Sequence, residues 1–480
     1  MSKITIILLC FTLWSTFANS QTKNNITVTQ YGAKGNDNID DTQFFQQAID
    51  VLASKNGGTL IIPEGTYYIS HLKFFGKKYS NITLIGQNAI INQILPEKRT
   101  QVHNGQWNTY AERLSADGCF VFDAMVSHQK NDNLSIKNIK ITGLTFNSFV
   151  NKYGFDELTH QISAHGVSNF KVDNCNFIGF LGDGIAINAG TDLRKYGYAY
   201  NKDIVIRNCN FDGINKDNRQ GVSIYYADGF VIENCDFKNT TRSDMPGAID
   251  VEPDKPNLIT RNGKIENCSF TNIGGIAAVC FIIKGSAAAN DFSNNNFTVN
   301  NCRFNNVSKG IAVINTDSKI DPIQKEYAIK FTNSTVVNAH AIADFRYASN
   351  VYLKQVSFKN INNTNLNVVT DGGAYNIKFE NCNFQGIKNQ NGFGFTGDTK
   401  QISFVNCNFQ DFAIHAITIN KAAGLGQLTG NNFMSTKYNG GYPLVIPRNT
   451  KRNQILNSAV RNNTTKGNFK TLDLNEFIAK

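Results

Sequence analysis

The chain has 480 residues, is 41% hydrophobic and 18% charged, and carries a formal net charge of +10. That length fits several small domains or one large all-β body, and beyond residue 18 no stretch stays apolar for the roughly eighteen residues a membrane span needs. The positive charge suits an acidic partner, outside the cytoplasm an anionic glycan as readily as a nucleic acid, and it equally serves solubility.

Residues 4–18, ITIILLCFTLWSTFA, form an apolar run behind Lys3, and "ANS" before Gln21 offers a small-residue cleavage site. Residues 1–20 therefore read as a signal peptide, giving a soluble protein exported to the periplasm or the medium. Cys10 follows Leu8 and Leu9, which argues against a lipoprotein anchor. Residues 21–70 then run strand, Gly-rich turn, helix and strand. The helix is expected over about 42–54, capped by Asp40 or Asp41, with its apolar face sealing the end of a coil. The pattern Y-G-A-x-G, D-D-T, A-I and G-G-T-L-x-x-P-x-G-T-Y within residues 31–68 resembles the opening of the pectate lyase-like superfamily, in its polygalacturonase, rhamnogalacturonase and epimerase-like group. The resemblance implies a right-handed parallel β-helix and a glycan substrate. It leaves the chemistry open, because that scaffold hosts hydrolases, lyases, epimerases and phage adhesins.

Residues 71–435 carry a repeat. Of ten cysteines, seven sit in Asn-Cys-x-Phe, and Cys175, Cys209, Cys235, Cys268 and Cys302 are 34, 26, 33 and 34 residues apart. A period of this size signals a solenoid. Each unit holds two short alternating runs, such as FKVDNCNF and GIAIN, with no helical stretch between them. Alternation with β-branched residues marks strands. Short strands at Asn- and Gly-rich bends stack as a parallel β-helix, with like residues in columns about 4.8 Å apart. The fold class is thus all-β, a right-handed parallel β-helix with an N-terminal capping helix. The asparagine column is structural, and the cysteines are free thiols stacked in the core.

Within the second run of each coil, Ile162 and Ala164, Ile185 and Ile187, Val222 and Ile224, and Ile249 and Val251 should point inward. One outward column then reads Ser163, Ala186, Ser223, Asp250, and the next reads His165, Asn188, Tyr225, Glu252. An imidazole, an amide, a phenol and a carboxylate sharing one column suggest a site, expected to open to solvent as a groove across residues 163–346. Long excursions after Asn188, Glu252 and Ile314 would wall it. The first brings Arg194, Lys195, Tyr196, Tyr198 and Tyr200, aromatics that stack on sugar rings and cations that suit a carboxylated or sulfated glycan.

Asp250 and Glu252 lie about 7 Å apart by strand rise, loosely within the roughly 6.5–9.5 Å that inverting glycoside hydrolysis uses. The leading expectation is a secreted polysaccharide hydrolase with these two as the acid and base pair, in either order. Asp183, in GDGIAIN, and His165 would assist, while Tyr225, Asn188, Arg194, Lys195, Tyr198 and Lys284 would hold the sugar. GDGIAIN resembles the G-D-D-x-I-A-I segment of polygalacturonases with one of its two acids; that family's G-H-G and R-I-K segments are absent.

A lyase or uronate epimerase is the alternative, with His165, Tyr225, Lys284 or Arg242 at the uronate and Asp250, Glu252 and Asp254 as a calcium cage. YGFDELTH at 153–160 resembles the Y-G-F-D-P-H-E segment of mannuronan C5-epimerases; Tyr153 and Asp156 match, but Leu158 replaces the histidine and the imidazole comes at His160. A non-catalytic glycan-binding protein would share fold and groove. His340 and His415 read as strand-edge residues. No H-E-x-x-H, paired C-x-x-C, P-loop or dinucleotide fingerprint occurs, so no cofactor is expected except calcium in the lyase case, and no nucleic-acid or membrane partner. A monomer is expected, with residues 436–480 ending and covering the last coils.

Overall fold

The computed structural model describes residues 24–95, 118–124, 135–188, 201–214, 217–253, 260–283, 296–316, 328–362, 368–369, 373–388, 392–395, 399–419, 425–436, 443–445 and 460–467. The signal segment, Arg194, Lys195, Tyr196, Tyr198, Tyr200, Asp254 and Lys284 lie outside them. The described strands stack as a parallel β-helix of three faces, in the right-handed sense that parallel crossovers take. Two faces count as one 27-stranded sheet, because Ile82–Gln93 and Ile136–Asn147 run on round the corner between them. The third face is a ten-stranded sheet from Leu72–Phe75 to Val368–Val369. A three-stranded sheet, Phe393–Phe395, Ile417–Ile419 and Leu444–Val445, comes after it in the chain.

Alternation fills the cylinder. Phe146, Phe177, Phe211, Phe237, Phe270 and Phe304 stack as successive rungs, centroids 5.2, 4.7, 4.6, 5.1 and 4.7 Å apart and planes within 7°. From Phe177 onward this is the Phe of the repeated tetrapeptide. Its Asn turns the corner: Asn174, Asn208, Asn234, Asn267 and Asn301 all have φ between 52° and 56°. That left-handed backbone favours Asn among residues with a side chain. Asn208 Nδ2 donates to Asp173 Oδ1 (2.9 Å), and Asn301 to Asn267 (2.7 Å), so the column is also a hydrogen-bonded ladder. A second ladder joins Asp212, Asn239, Asn272 and Asn306 at the next corner.

The Cys is a small hydrophobe with one weak donor to place. Cys209 Sγ donates to the carbonyl of Arg207 (3.1 Å) and reaches Val172 O of the previous coil (3.8 Å). Nine cysteines, all but Cys10, are buried free thiols.

The capping helix spans Thr42–Ser54 and buries Phe45, Ala48, Ile49, Leu52 and Ala53. Of its two candidate caps, Asp40 does the work, its Oδ1 accepting from Thr42 N–H (2.9 Å). Asp41 stands at the cap position but its side chain turns away and accepts from Lys34 N–H (3.0 Å), pinning the Gly-rich turn instead. At the other end, Val460–Arg461 and Thr464–Gly467 pair with Leu425–Thr429 and Asn432–Ser435, so coiling continues past residue 435.

Candidate active site

The ten-stranded face carries the two polar columns in the expected register. Ser163, Ala186, Ser223 and Asp250 are successive cross-strand partners, and His165 pairs with Asn188. Tyr225 and Glu252 extend the second column one residue past their strands, their N–H groups donating to Ile187 O and Ile224 O. The eight apolar residues between them are inward and at most 1% exposed.

The expectation that these columns open to solvent is corrected. Asp250, Asp183, Ser223 and Ser163 are completely buried, and His165 and Tyr225 nearly so. Glu252 alone of the acids is half-buried. Large polar side chains from neighbouring coils, Arg219, Gln220 and Tyr225, pack against the buried acids and one another.

These side chains form a cluster around one cation. Arg219 Nη1 lies 3.3 Å from both oxygens of Asp183 and donates to the Tyr225 hydroxyl at 2.9 Å; Nη2 stands 3.4 Å from Glu157. Burial works against the Arg219 charge, but Tyr225, Asp183, Glu157 and Asp250 outweigh it and hold the guanidinium firmly protonated. Gln220 bridges the acids, its N–H donating to Asp183 Oδ1 (3.4 Å) and its Nε2 to Asp250 Oδ2 (3.3 Å). The Asp183 N–H donates to His160 Nδ1 (3.0 Å), which places the imidazole proton on Nε2. The 3.4 Å approach of Asp183 Oδ2 to that same nitrogen is therefore not an ion pair.

Asp250 Oδ1 is buried and receives no hydrogen bond from any N–H or hydroxyl. The Glu252 carboxyl is a close neighbour of Asp250. A like charge beside a carboxylate disfavours its ionised form. Burial, then Glu252, push the Asp250 carboxyl well above the usual range against the pull of Arg219, and Asp183 adds to the rise. Asp250 and Glu252 thus stand close enough for the one to act on the other's charge, and Asp250 is held toward its neutral form. Tyr225 is kept a neutral phenol by burial, although Arg219 favours its ionised form.

Other expected members stand apart from the acids. His165 is three strand spacings from Glu252, about 14 Å, and is held by Ser163 Oγ at Nε2 (2.9 Å), with Asp123 as its other cross-strand neighbour. It does not join the dyad; His160 takes the imidazole position beside Asp183. Asn188 is half-buried, and its carbonyl accepts from Asn201 (2.6 Å). Arg242 stacks on Phe155 (3.8 Å) and pairs with Asp244 (2.8 Å), away from the acids.

Arg219, Gln220 and Glu157 are the residues missed. All three sit in bends that precede strands, where no two-residue alternation marks them. Extending the alignment back sets "RQG" of 219–221 against "GDG" of 182–184, which puts Gln220 beside Asp183 and the arginine at the acids.

Among the described residues no cluster of three or more His, Cys, Asp or Glu is arranged to hold a metal ion.

An iota-carrageenase of Alteromonas macleodii is 49% identical over 49 residues, 10% of each chain. The uncharacterized protein YclG of Bacillus subtilis is 23% identical over 291 residues, 56% of this chain and 46% of that one. The chain thus spans less than half the length of either curated relative. A tailspike protein of E. coli bacteriophage HK620, solved with a hexasaccharide, matches with a TM-score of 0.55 at 14% identity over 92% of this chain and 80% of that one, which supports the β-helix fold. The rhamnogalacturonase A/epimerase, pectate lyase-like family profile matches residues 25–269, about half the chain and including Asp183, Arg219, Asp250 and Glu252, and the chain belongs to that family.

Proposed function

We propose that this protein is an exported polysaccharide-cleaving enzyme that hydrolyses a glycosidic bond with the Asp250–Glu252 dyad. The observation that carries this reading is the buried Asp250 Oδ1, which has no donor and has a second carboxyl within reach. Family membership and the local likeness to a carrageenase support the substrate class. The apolar run behind Lys3 supports export.

Glu252, the half-buried member, delivers a proton to the leaving glycosidic oxygen, and Asp250, buried behind it, passes its own proton on to Glu252. The attacking water gives up one proton in return, so the pair ends with the protons it began with. Arg219 holds the added negative charge during transfer, and Asp183 stabilises the positive charge developing on the sugar ring. A second reading, elimination from a uronate, draws on the 2.9 Å Arg219–Tyr225 contact, which sets a cation beside a phenol. Incubation with plant and algal polysaccharides decides between them. Hydrolysis yields reducing ends with no ultraviolet band; an unsaturated uronate absorbing in the ultraviolet would replace hydrolysis with elimination.

A further inference from the structure

The face that carries the dyad continues through Val279–Ile283, Ile311–Asn315 and Ala343–Arg346. In register, Asp250 is followed by Cys280, Ala312 and Asp344, and in the column of Glu252 the partners Ile282, Ile314 and Arg346 come in turn. The outer surface therefore changes character along the stack. For two coils beyond the dyad it is apolar and buried: Cys280, Ile282, Ala312 and Ile314 form, with Ala277, a small cluster separate from the main core. On the third coil charge returns.

That charge is unbalanced. Asp344, 3% exposed, accepts from Arg346 Nε (3.0 Å) and faces Lys309 Nζ at 3.7 Å. Lys309 occupies the bend position that Asp183 and Gln220 hold in earlier coils, and its Nζ also donates to Ile276 O (3.0 Å). Two cations share one carboxylate, and a buried pair needs only one. Arg346 uses only Nε among the described residues, leaving both terminal nitrogens of a one-third-exposed side chain without a protein acceptor. A guanidinium fork with free terminal donors matches a planar or tetrahedral oxyanion.

We infer that Arg346 and Lys309 form an anion subsite that takes a carboxylate or sulfate group of the polysaccharide, three strand spacings or about 14 Å along the stack from Asp250. This rests on the reading of the face as a polysaccharide site. The two cations fix which ring of the chain lies at the dyad, so they set specificity without touching the scissile bond.

Affinity electrophoresis with Asp250→Asn protein tests this, using gels cast with polygalacturonate, its methyl ester, a sulfated galactan and its desulfated form. Arg346→Gln is expected to lower affinity for an anionic polymer about tenfold, the size of one charge-assisted contact, and to leave the neutral derivative's binding unchanged. Retention by polygalacturonate alone identifies a carboxylate, and retention by the sulfated galactan alone a sulfate. Because Arg346→Gln leaves Asp344 short of a partner, Arg346→Gln/Asp344→Asn is run beside it and should show the same loss with unaltered melting. Equal affinity in Arg346→Gln, Lys309→Met and the parent sinks the subsite, and product formation by the chain carrying Asp250 then leaves the hydrolytic reading standing. Affinity lost in Arg346→Gln without any product from the unaltered chain keeps the subsite and sinks hydrolysis. No retention in any gel overturns the subsite, and with no product it overturns both.

Discussion

Arg219 places one terminal nitrogen 3.3 Å from each oxygen of Asp183, thirty-six residues earlier in the chain. One turn of the coil brings them together: Ile185 and Val222 are cross-strand partners, and the bends before them stack. Asp183 is completely buried, so this single guanidinium carries most of its compensation. Arg219→Met should cost about 3–5 kcal/mol, the range for stranding one partner of a buried pair. Adding Asp183→Asn should recover much of it. Urea unfolding of the three proteins measures both, and an Arg219→Met chain as stable as its parent would contradict the contact.

Asp250→Asn changes the dyad without changing its shape. The new amide can donate to Glu252, where Asp250 Oδ1 now lacks a donor. Stability should hold or rise, while the rate of glycan cleavage should fall by about 10²–10⁴, the contribution of a positioned acid or base. Initial rates of reducing-end release, set against melting curves, separate the two effects. Retained activity would remove Asp250 from the chemistry.

The pH dependence of stability has a definite sign. The folded Asp250 holds its proton more tightly than the unfolded chain does. Its favourable contribution is complete below the unfolded value of about 4 and is lost as pH rises through the folded value. Asp344 and Asp41, also raised by burial, act in the same direction. The stability of Asp250→Asn relative to the parent should therefore grow from about pH 4 upward, with a slope of at most about 1.4 kcal/mol per pH unit. Denaturant titrations at several pH values read this difference directly, and a flat difference would mean the carboxyl is not raised.

The corner asparagines make a separate prediction about the scaffold. Asn208 has φ 53° and bonds to both the coil before it and the coil after it. Asn208→Ala should lose about 1–2 kcal/mol from the left-handed backbone alone, and Asn208→Gly should avoid that part while still losing the ladder. Alanine and glycine variants of equal stability would assign the column's value to its hydrogen bonds.

Much of this was legible in the chain because a β-helix writes its register as repetition. The spacing of Cys175, Cys209 and Cys235 placed the corners, and alternation around Ile249 and Val251 put Asp250 and Glu252 on one face, as found. Secretion and the roles of Arg194, Lys195, Tyr198 and Lys284 remain expectations from sequence. The cover over the acids was not legible. Arg219 and Glu157 lie in bends, which have no period, and nothing local marks which bend folds onto which strand.

By itself, then, the order of residues determined the cylinder and the two outward columns, since inward packing of branched and aromatic side chains tolerates only one phase of a two-residue period. Tertiary structure decided the rest: that the outward face is closed, that His160 rather than His165 stands beside Asp183, and that Asp250 is held toward its neutral form beside Glu252. Those outcomes depend on which side chains meet across coils and how much water they exclude. Burial and neighbouring charge, set only after folding, govern whether a carboxyl is an exposed anion or a stored acid.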